Sequence, residues 1–364
     1  MIITIGNIFD SKADVLVNTV NCVGVMGKGI ALDFKKRFPA MFSDYSERCA
    51  AHELKPGKPY YYHDLTGASV INFPTKDHWR SPSKLSYIID GLDWFVENYE
   101  SYGIKSVAFP PLGCGNGGLT WDIIGPIMYQ KLIKLPIYIE IYAPFGTSPD
   151  KLKPEFLCKE TNGTADIIGE RSARLNPKWY LLLYIVKELS NNRYALSVGR
   201  TIFQKICYVL TRTGVNTGFA FTKGSYGPYS SQVKEAITIL SNSNLMTESS
   251  AGKMMKMTVS DRFVFDQSAF TVNEMSAARQ TIDLFSRIKN TEQAEIIATV
   301  MYSYDELKKS GSVQDIDVYN YVMDWKPHWK DDKKEIVCDT IANLTILDWM
   351  KVIHSEQIQY SDDI

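Results

Sequence analysis

The sequence predicts an α/β layered domain followed by a mainly helical one. In the first half, short apolar runs alternate with stretches of helical periodicity, and glycine-rich loops follow the runs. Beyond a polar stretch containing Pro and Gly, the apolar pattern resumes mostly at helical spacing. A chain of 364 residues can build about two domains with proper cores.

Met1 to Ile5 reads as a strand, and Ala13 to Asn18, rich in Val and Leu, as a buried one. The stretch VLVNTVNCVGVMGKGIALDFKKRF, Val15 to Phe38, then delivers Asn18 and Asn21 into a loop carrying Gly24, Gly27 and Gly29. A helix begins near Ile30 and stops before Pro39. Glycines at such a junction let backbone N–H groups approach a ligand, and the helix start adds a positive dipole end, so a diphosphate is favoured there. The alternative is a plain strand-to-helix turn. Val70 to Phe73 is a strand leading into Pro74-Thr75-Lys76-Asp77-His78-Trp79-Arg80. Helical periodicity covers Ser83 or Lys84 to Tyr99. The strand Ser106 to Phe109 runs into Pro110-Pro111-Leu112-Gly113-Cys114-Gly115-Asn116-Gly117-Gly118, a helix follows near Thr120, and Ile137 to Tyr142 is the last strand. Two glycine loops at strand ends, pointing one way, predict a shared phosphate site at one edge of the sheet.

Composition narrows the function classes. Forty Lys and Arg against 41 Asp and Glu demand no broad basic face, although a local patch is hidden in such a total. The six cysteines, Cys22, Cys49, Cys114, Cys158, Cys207 and Cys338, form no CxxC pair and no His/Cys cluster at zinc spacing, so neither metal nor cofactor is expected. The start MIITIGNIF enters strand-like sequence directly, and no apolar run reaches about 18 residues. No membrane association and a reducing, cytoplasmic setting are therefore expected.

The run VNTVNCVGVMGKGIALDFKKRFP, the later FPTK and the PPLGCGNGGLTW, in that order, resemble a macrodomain, the ADP-ribose-binding module, over roughly Met1 to Pro144. Within that class they look like the branch of the terminal ADP-ribose glycohydrolases and the DarG antitoxins of the DarT/DarG toxin–antitoxin system. The resemblance implies a three-layer α/β/α fold with a mixed sheet and divides an ADP-ribose among the loops. Asn7, beside Ile8, stands where relatives commonly carry an adenine-binding aspartate, with Asp10 three positions on; the adenine contact is open between Asn7 and Asp10. Asn21, with Asn18, Gly27, Gly29 and Ile30, matches the side facing the distal ribose. Gly113, Cys114, Gly115, Asn116 and Gly117 match the diphosphate cradle, which works mainly through backbone N–H groups, and Thr75 and Tyr142 complete the implied ligand set. Cys114 reads as a small buried residue, since nothing near it in sequence would lower its pKa.

Lys76 matches the lysine that, in glycohydrolases of this branch, attacks the anomeric carbon of the distal ribose; Asn21 is its implied catalytic companion. An ordinary lysine is protonated at pH 7, so attack requires a depressed pKa. One departure stands out: the protein glycohydrolases carry an acidic residue after the GCG turn, whereas this chain has Asn116-Gly117-Gly118. Either lysine and asparagine suffice, as the DarG-like reading implies with an ADP-ribosyl group on a DNA base as substrate, or the domain only binds ADP-ribose. His78, Trp79 and Arg80 could stack on a base and contact a phosphate, or Trp79 could pack under its loop.

Phe145 to about Leu175 loses periodicity, apart from a short helix at Ala165 to Gly169, and the domains are placed at residues 1–148, a linker at 149–174 and a mainly helical domain at 175–364. In the last, helices are expected over Lys178 to Leu189, Val198 to Thr211, Ser231 to Leu240, Val272 to Ile288, Ala294 to Ser310 and Thr340 to Ile353. A hairpin of Met254 to Val259 with Phe263 to Phe265 gives the order of a winged-helix-like core. Gly224-Ser225-Tyr226-Gly227-Pro228-Tyr229-Ser230 is either an exposed contact surface or a packed turn capping the next helix. Asp331 to Ile364 holds eight acidic against three basic residues, a solvated face or, by resemblance, part of the surface that binds a DarT-like toxin.

Overall fold

The computed structural model describes residues 1–64, 67, 69–158, 175–251, 254–329 and 332–356. The helix expected at Ala165 to Gly169, most of the expected linker and the end of the acidic tail lie outside the described residues. The chain falls into two units, Met1–Leu175 with Glu235–Asn244, and Asn176–Lys234 with Leu245–Ile364.

In the first unit, six strands, β1 (Ile2–Thr4), β2 (Val15–Val20), β3 (Tyr60–His63), β4 (Ser69–Pro74), β5 (Ser106–Phe109) and β6 (Tyr138–Tyr142), form one sheet in the order β1-β6-β5-β2-β4-β3. All neighbours are parallel except β3 with β4, which makes the sheet mixed. Side chains alternate between faces. Val15 and Val17, Ile71 and Phe73, Val107 and Phe109, and Ile139 and Ile141 point to one face, where α3 (Leu85–Asn98) and α4 (Trp121–Leu132) cover them. Val20, Val70, Ala108 and Tyr142 point to the other, under α1 (Gly29–Arg37) and α2 (Pro39–Ala50). The result is the three-layer α/β/α arrangement with a mixed sheet that the resemblance implies. Helix α2 and strand β3 carry too little distinct periodicity to be expected from sequence. Pro39 ends α1 yet opens α2 at its first turn, where a missing N–H is harmless.

Strand β2 runs two residues beyond the expected end at Asn18, so Asn18 lies inside it rather than at its end, opposite Asn72 of β4. Residues expected in the linker also fold: Pro149–Leu152 forms a 3₁₀ turn and α5 (Pro154–Leu157) follows, with Leu157 fully buried in the core under α4.

The second unit holds α6 (Trp179–Asn191), α7 (Arg200–Arg212), a short hairpin of β7 (Thr222–Gly224) and β8 (Gly227–Tyr229), and the hairpin of β9 (Met246–Ala251) and β10 (Met254–Val259). Helices α9 (Val272–Arg287), α10 (Thr291–Lys308), α11 (Asp315–Trp325) and α12 (Lys334–Ile346) complete it. Helix α8 (Ser231–Asn242) begins in this unit, and its residues from Glu235 on belong to the first. The expected order of three helices and a hairpin is present, but β10 pairs with the strand before it rather than with Phe263 to Phe265, and the last helix starts at Lys334 rather than Thr340. The Tyr-Gly-Pro segment is packed at its centre and open at its tyrosines. Gly227 and Pro228 are buried, and the buried Lys205 and Lys326 donate to the carbonyls of Pro228 and Ser225, whereas Tyr226 and Tyr229 are exposed. No helix among the described residues is long and apolar enough to cross a membrane.

Packing between α3 and β4 depends on Gly91, because a Cβ there would lie 2.2 Å from the Phe73 ring. Gly91→Ala is expected to destabilise the first unit by roughly 1–3 kcal/mol, the usual cost of overpacking a core. Chemical denaturation followed by tryptophan fluorescence checks this; an unchanged midpoint would contradict the packing described.

Candidate functional site

The site begins with strand direction. Strands β1, β2, β4, β5 and β6 run parallel, so the loops that follow them leave the same edge of the sheet, the carboxyl edge where α/β folds bind ligands. Those loops contain Asn7 and Ile8, Asn21 to Gly29, Thr75 to Ser83, and Pro110 to Gly118, with Tyr142 at the end of β6. The topology thus brings every expected site residue except Asn18 to the loops or strand ends of one edge.

Pairing between β2 and β4 continues past both strands. Thr75 N–H donates to the Val20 carbonyl at 3.0 Å and Cys22 N–H to the Asp77 carbonyl at 2.9 Å. Lys76 is therefore held opposite Asn21 and Cys22. Its Nζ donates to the Asn116 carbonyl at 2.6 Å, which ties the loop after β4 to the loop after β5. The loop after β2 closes the ring: Gly29, at φ +60°, would place a Cβ 3.2 Å from the Asn116 amide nitrogen. A side chain at this left-handed position would be strained and would crowd Asn116.

Asn21 is 6% exposed, and its side chain turns into its own loop. Oδ1 accepts from Val23 N–H at 3.0 Å and from the Tyr45 hydroxyl at 3.2 Å, while Nδ2 donates to the Val25 carbonyl at 2.5 Å. The same hydroxyl donates to the Asn21 carbonyl at 2.9 Å. Asn21 thereby shapes the loop whose glycines and helix start face the ligand side. Helix α1 opens at Gly29 with no side chain capping it and ends on Lys35, Lys36 and Arg37. Its first N–H groups are available to an anion, and its basic end complements the dipole.

Asn18 corrects the expectation of a ligand contact. It is fully buried, and Nδ2 donates to Asn72 Oδ1 at 2.9 Å, while Asn72 Nδ2 donates to the Tyr60 hydroxyl at 3.0 Å. Asn18 Oδ1 has no partner. The three residues form a polar ladder across β2, β4 and β3 beneath α1 and α2, set by the parallel register of Asn18 with Asn72.

The loop after β5 is a turn of backbone groups. Gly115 has φ +67°, and a Cβ on it would meet nothing within 4 Å, so its backbone is open to approach. Gly117, by contrast, would place a Cβ 2.4 Å from the Ser83 hydroxyl, and Ser83 N–H donates to the Gly117 carbonyl at 2.9 Å. Ser83 is fully buried, its hydroxyl has no partner, and nothing in the sequence signalled its role under this loop. Asn242, also of the first unit, donates to the Ser83 carbonyl at 3.2 Å and accepts from Leu85 N–H at 2.8 Å, where α3 begins. These contacts depend on residues 157 and 159 positions apart and leave no local pattern. The Cys114 thiol is pushed up to about 12 by burial, and that of Cys22 also to about 12, by burial and then by Asp77. Both are held as thiols at neutral pH.

At the far end, Asn7 is exposed and its Oδ1 accepts from Phe9 N–H at 3.2 Å, capping the 3₁₀ turn Ile8–Asp10. Asp10 is exposed, Ile8 is buried, and the Tyr142 hydroxyl donates to Glu140 at 2.9 Å. Burial, then Glu140, pushes the Tyr142 phenol up to about 12. Among the described residues no group of three His, Cys, Asp or Glu is placed to hold a metal ion.

The macro domain family model matches residues 17–128, which span the loops after β2, β4 and β5. An ADP-ribose 1''-phosphate phosphatase of Meyerozyma guilliermondii is 37% identical over 166 residues, 37% of this chain and 95% of that protein. The first half of the chain belongs to the macrodomain family. A DNA ADP-ribosyl glycohydrolase of Mycobacterium tuberculosis is 36% identical over 243 residues, 64% of each chain, so the match spans about two-thirds of that relative's length. A DNA ADP-ribosyl transferase-DNA ADP-ribosyl glycohydrolase fusion protein of Thermosipho africanus is 43% identical over 172 residues, 42% of this chain and 44% of that one. The matched stretches carry the macrodomain's carboxyl-edge loops, and the geometry above is the form those loops take in this chain.

Because the thiolate is the reactive form, iodoacetamide at pH 8 is expected to label the exposed Cys158 well before Cys114. Peptide mass spectrometry checks the order of labelling; faster loss of the Cys114 thiol would contradict its half-buried, protonated state.

Proposed function

We propose that the macrodomain removes ADP-ribose from a modified DNA base, with Lys76 as nucleophile, and that the second half of the chain binds a DarT-like ADP-ribosyltransferase toxin. The observation that carries the reading is the placement of Lys76. It is the amine held at the meeting point of the distal-ribose loop and the diphosphate loop, bonded to the Asn116 carbonyl. The glycohydrolase relatives, one of them fused to a transferase, support the substrate and the pairing.

In this reading ADP-ribose lies along the carboxyl edge. Its adenine lies near Asn7 and Asp10, its diphosphate on the N–H groups of Gly113 to Gly117 and the start of α1, and its distal ribose beside the Asn21 loop. Neutral Lys76 attacks the anomeric carbon, the bond to the DNA base breaks, and the base leaves with the electron pair and takes up a proton. Water then hydrolyses the lysine adduct and restores the amine. A neutral amine can donate one N–H to the Asn116 carbonyl and still present its lone pair, so the observed bond is compatible with attack. Backbone groups carry most of the binding, which leaves Asn21 as an organiser of the loop. Toxin restraint belongs to the second half, and a cytoplasmic setting, where toxin and DNA meet, follows from the same reading.

A second reading, binding without turnover, is favoured by the absence of a carboxylate at Asn116-Gly117-Gly118 and by the engagement of Asn21 with its own loop. Multiple-turnover release of ADP-ribose from an ADP-ribosylated oligonucleotide separates the two.

Lys76→Ala is expected to lower that release at least about 100-fold, the lower end of what a positioned catalytic side chain contributes, while ADP-ribose binding measured by calorimetry persists. Retention of full activity would rule out the lysine mechanism. The same variant should still co-purify with a DarT-like transferase, since the toxin contact is assigned to the second half. Loss of that association would place the toxin contact at the catalytic site instead.

A further inference from the structure

Beyond the catalytic lysine, the loop after β4 displays a residue that neither the ADP-ribose pocket nor the fold accounts for. Trp79 is 45% exposed, unusually open for tryptophan. It is not loosely held. The His78 ring stacks beside it with centroids 5.5 Å apart and planes at 29°, and the Arg80 guanidinium lies over its ring at 4.5 Å. Arg80 N–H donates to His78 Nδ1 at 3.2 Å and Ser81 N–H to the His78 carbonyl at 2.9 Å, making a tight turn under the three side chains. One end of the loop is fixed by Cys22 N–H on the Asp77 carbonyl and the other by Ser83 N–H on the Gly117 carbonyl, each at 2.9 Å.

The surroundings fit a nucleic-acid strand. Besides Lys76 itself, Arg80 and Lys84 put two cations on the stretch from Asp77 to Lys84 of a chain whose charges otherwise nearly cancel, and Asp77 is the one carboxylate there. The neighbouring loop presents the exposed apolar side chains of Val23 and Val25. A rigid, half-open aromatic ring with a guanidinium on it, in a locally basic loop three residues from the reacting amine, is the arrangement that takes a base by stacking and its phosphate by charge. A protein carboxylate carrying ADP-ribose has no aromatic ring at the linkage to stack on this surface.

We infer that Trp79 and Arg80 form a nucleobase platform beside Lys76, with Trp79 stacking on a base of the strand that carries the ADP-ribose, so that this loop selects nucleic-acid over protein substrates. The inference rests on the glycohydrolase reading for the identity of the substrate, but its test is a binding measurement. The full chain carrying Lys76→Ala, and the same chain with Trp79→Ala added, are titrated by fluorescence anisotropy with an ADP-ribosylated single-stranded oligonucleotide and by calorimetry with free ADP-ribose. Trp79→Ala should weaken the oligonucleotide roughly 5- to 150-fold, the range of base–aromatic stacking, and change ADP-ribose affinity less than about twofold. Trp79→Phe should recover most of the loss. Equal weakening of both ligands, or no change in either, would overturn the platform. If the unmodified chain releases no ADP-ribose while the selective loss with Trp79→Ala is still seen, the hydrolytic reading fails and the platform stands.

Discussion

The site depends on the parallel pairing of β2 with β4 being carried past the ends of both strands. Two backbone hydrogen bonds, Thr75 to Val20 and Cys22 to Asp77, keep the two chains in register where each turns into a loop. Without them, Lys76 would be a long, flexible cation at a strand end, losing rotamer freedom whenever it was used. With them, it is fixed opposite Asn21 and within reach of the Asn116 carbonyl. The loop after β5 is then held from beneath, because Gly117 and Ser83 fit together only without a Cβ.

Polar side chains in this domain divide by what they stabilise. Asn18 and Asn72 share one hydrogen bond inside the sheet, and Asn72 passes a second to Tyr60, since a buried amide costs stability unless it is hydrogen-bonded. Asn21 spends its amide on the Val23 and Val25 backbone and on Tyr45. What the loops offer outward is chiefly main chain: the first N–H groups of α1 and the turn around Gly115. Such groups are preorganised for an anion and need no reorganisation when it arrives. The side chains proposed for chemistry and discrimination are therefore few: Lys76 beside the Asn21 loop, and Trp79 and Arg80 on the loop after β4.

Much of this was legible in the sequence. Alternating apolar runs marked β2, β4, β5 and β6, and glycines after them marked the loops that share an edge. Proline and glycine punctuation located the start of α1 and the turn after β5. Asn18, expected as the last residue of its strand, lies inside it because pairing with β4 carries the strand on to Val20, opposite Pro74. Tyr45, Ser83 and Asn242 were invisible because each acts across a long sequence separation on a backbone group, leaving no local signal. In the second half, β10 was paired with the wrong neighbour: Met246–Ala251 reads as polar on sequence alone and becomes a strand through its ladder with β10.

Trapping the lysine during the reaction tests its role as nucleophile most directly. The full chain is mixed with an ADP-ribosylated oligonucleotide in the presence of cyanoborohydride, digested and analysed by mass spectrometry. An ADP-ribose adduct is expected on the peptide containing Lys76 and is lost in Lys76→Ala. Turnover with no adduct, or an adduct confined to another lysine such as Lys84, would contradict that role.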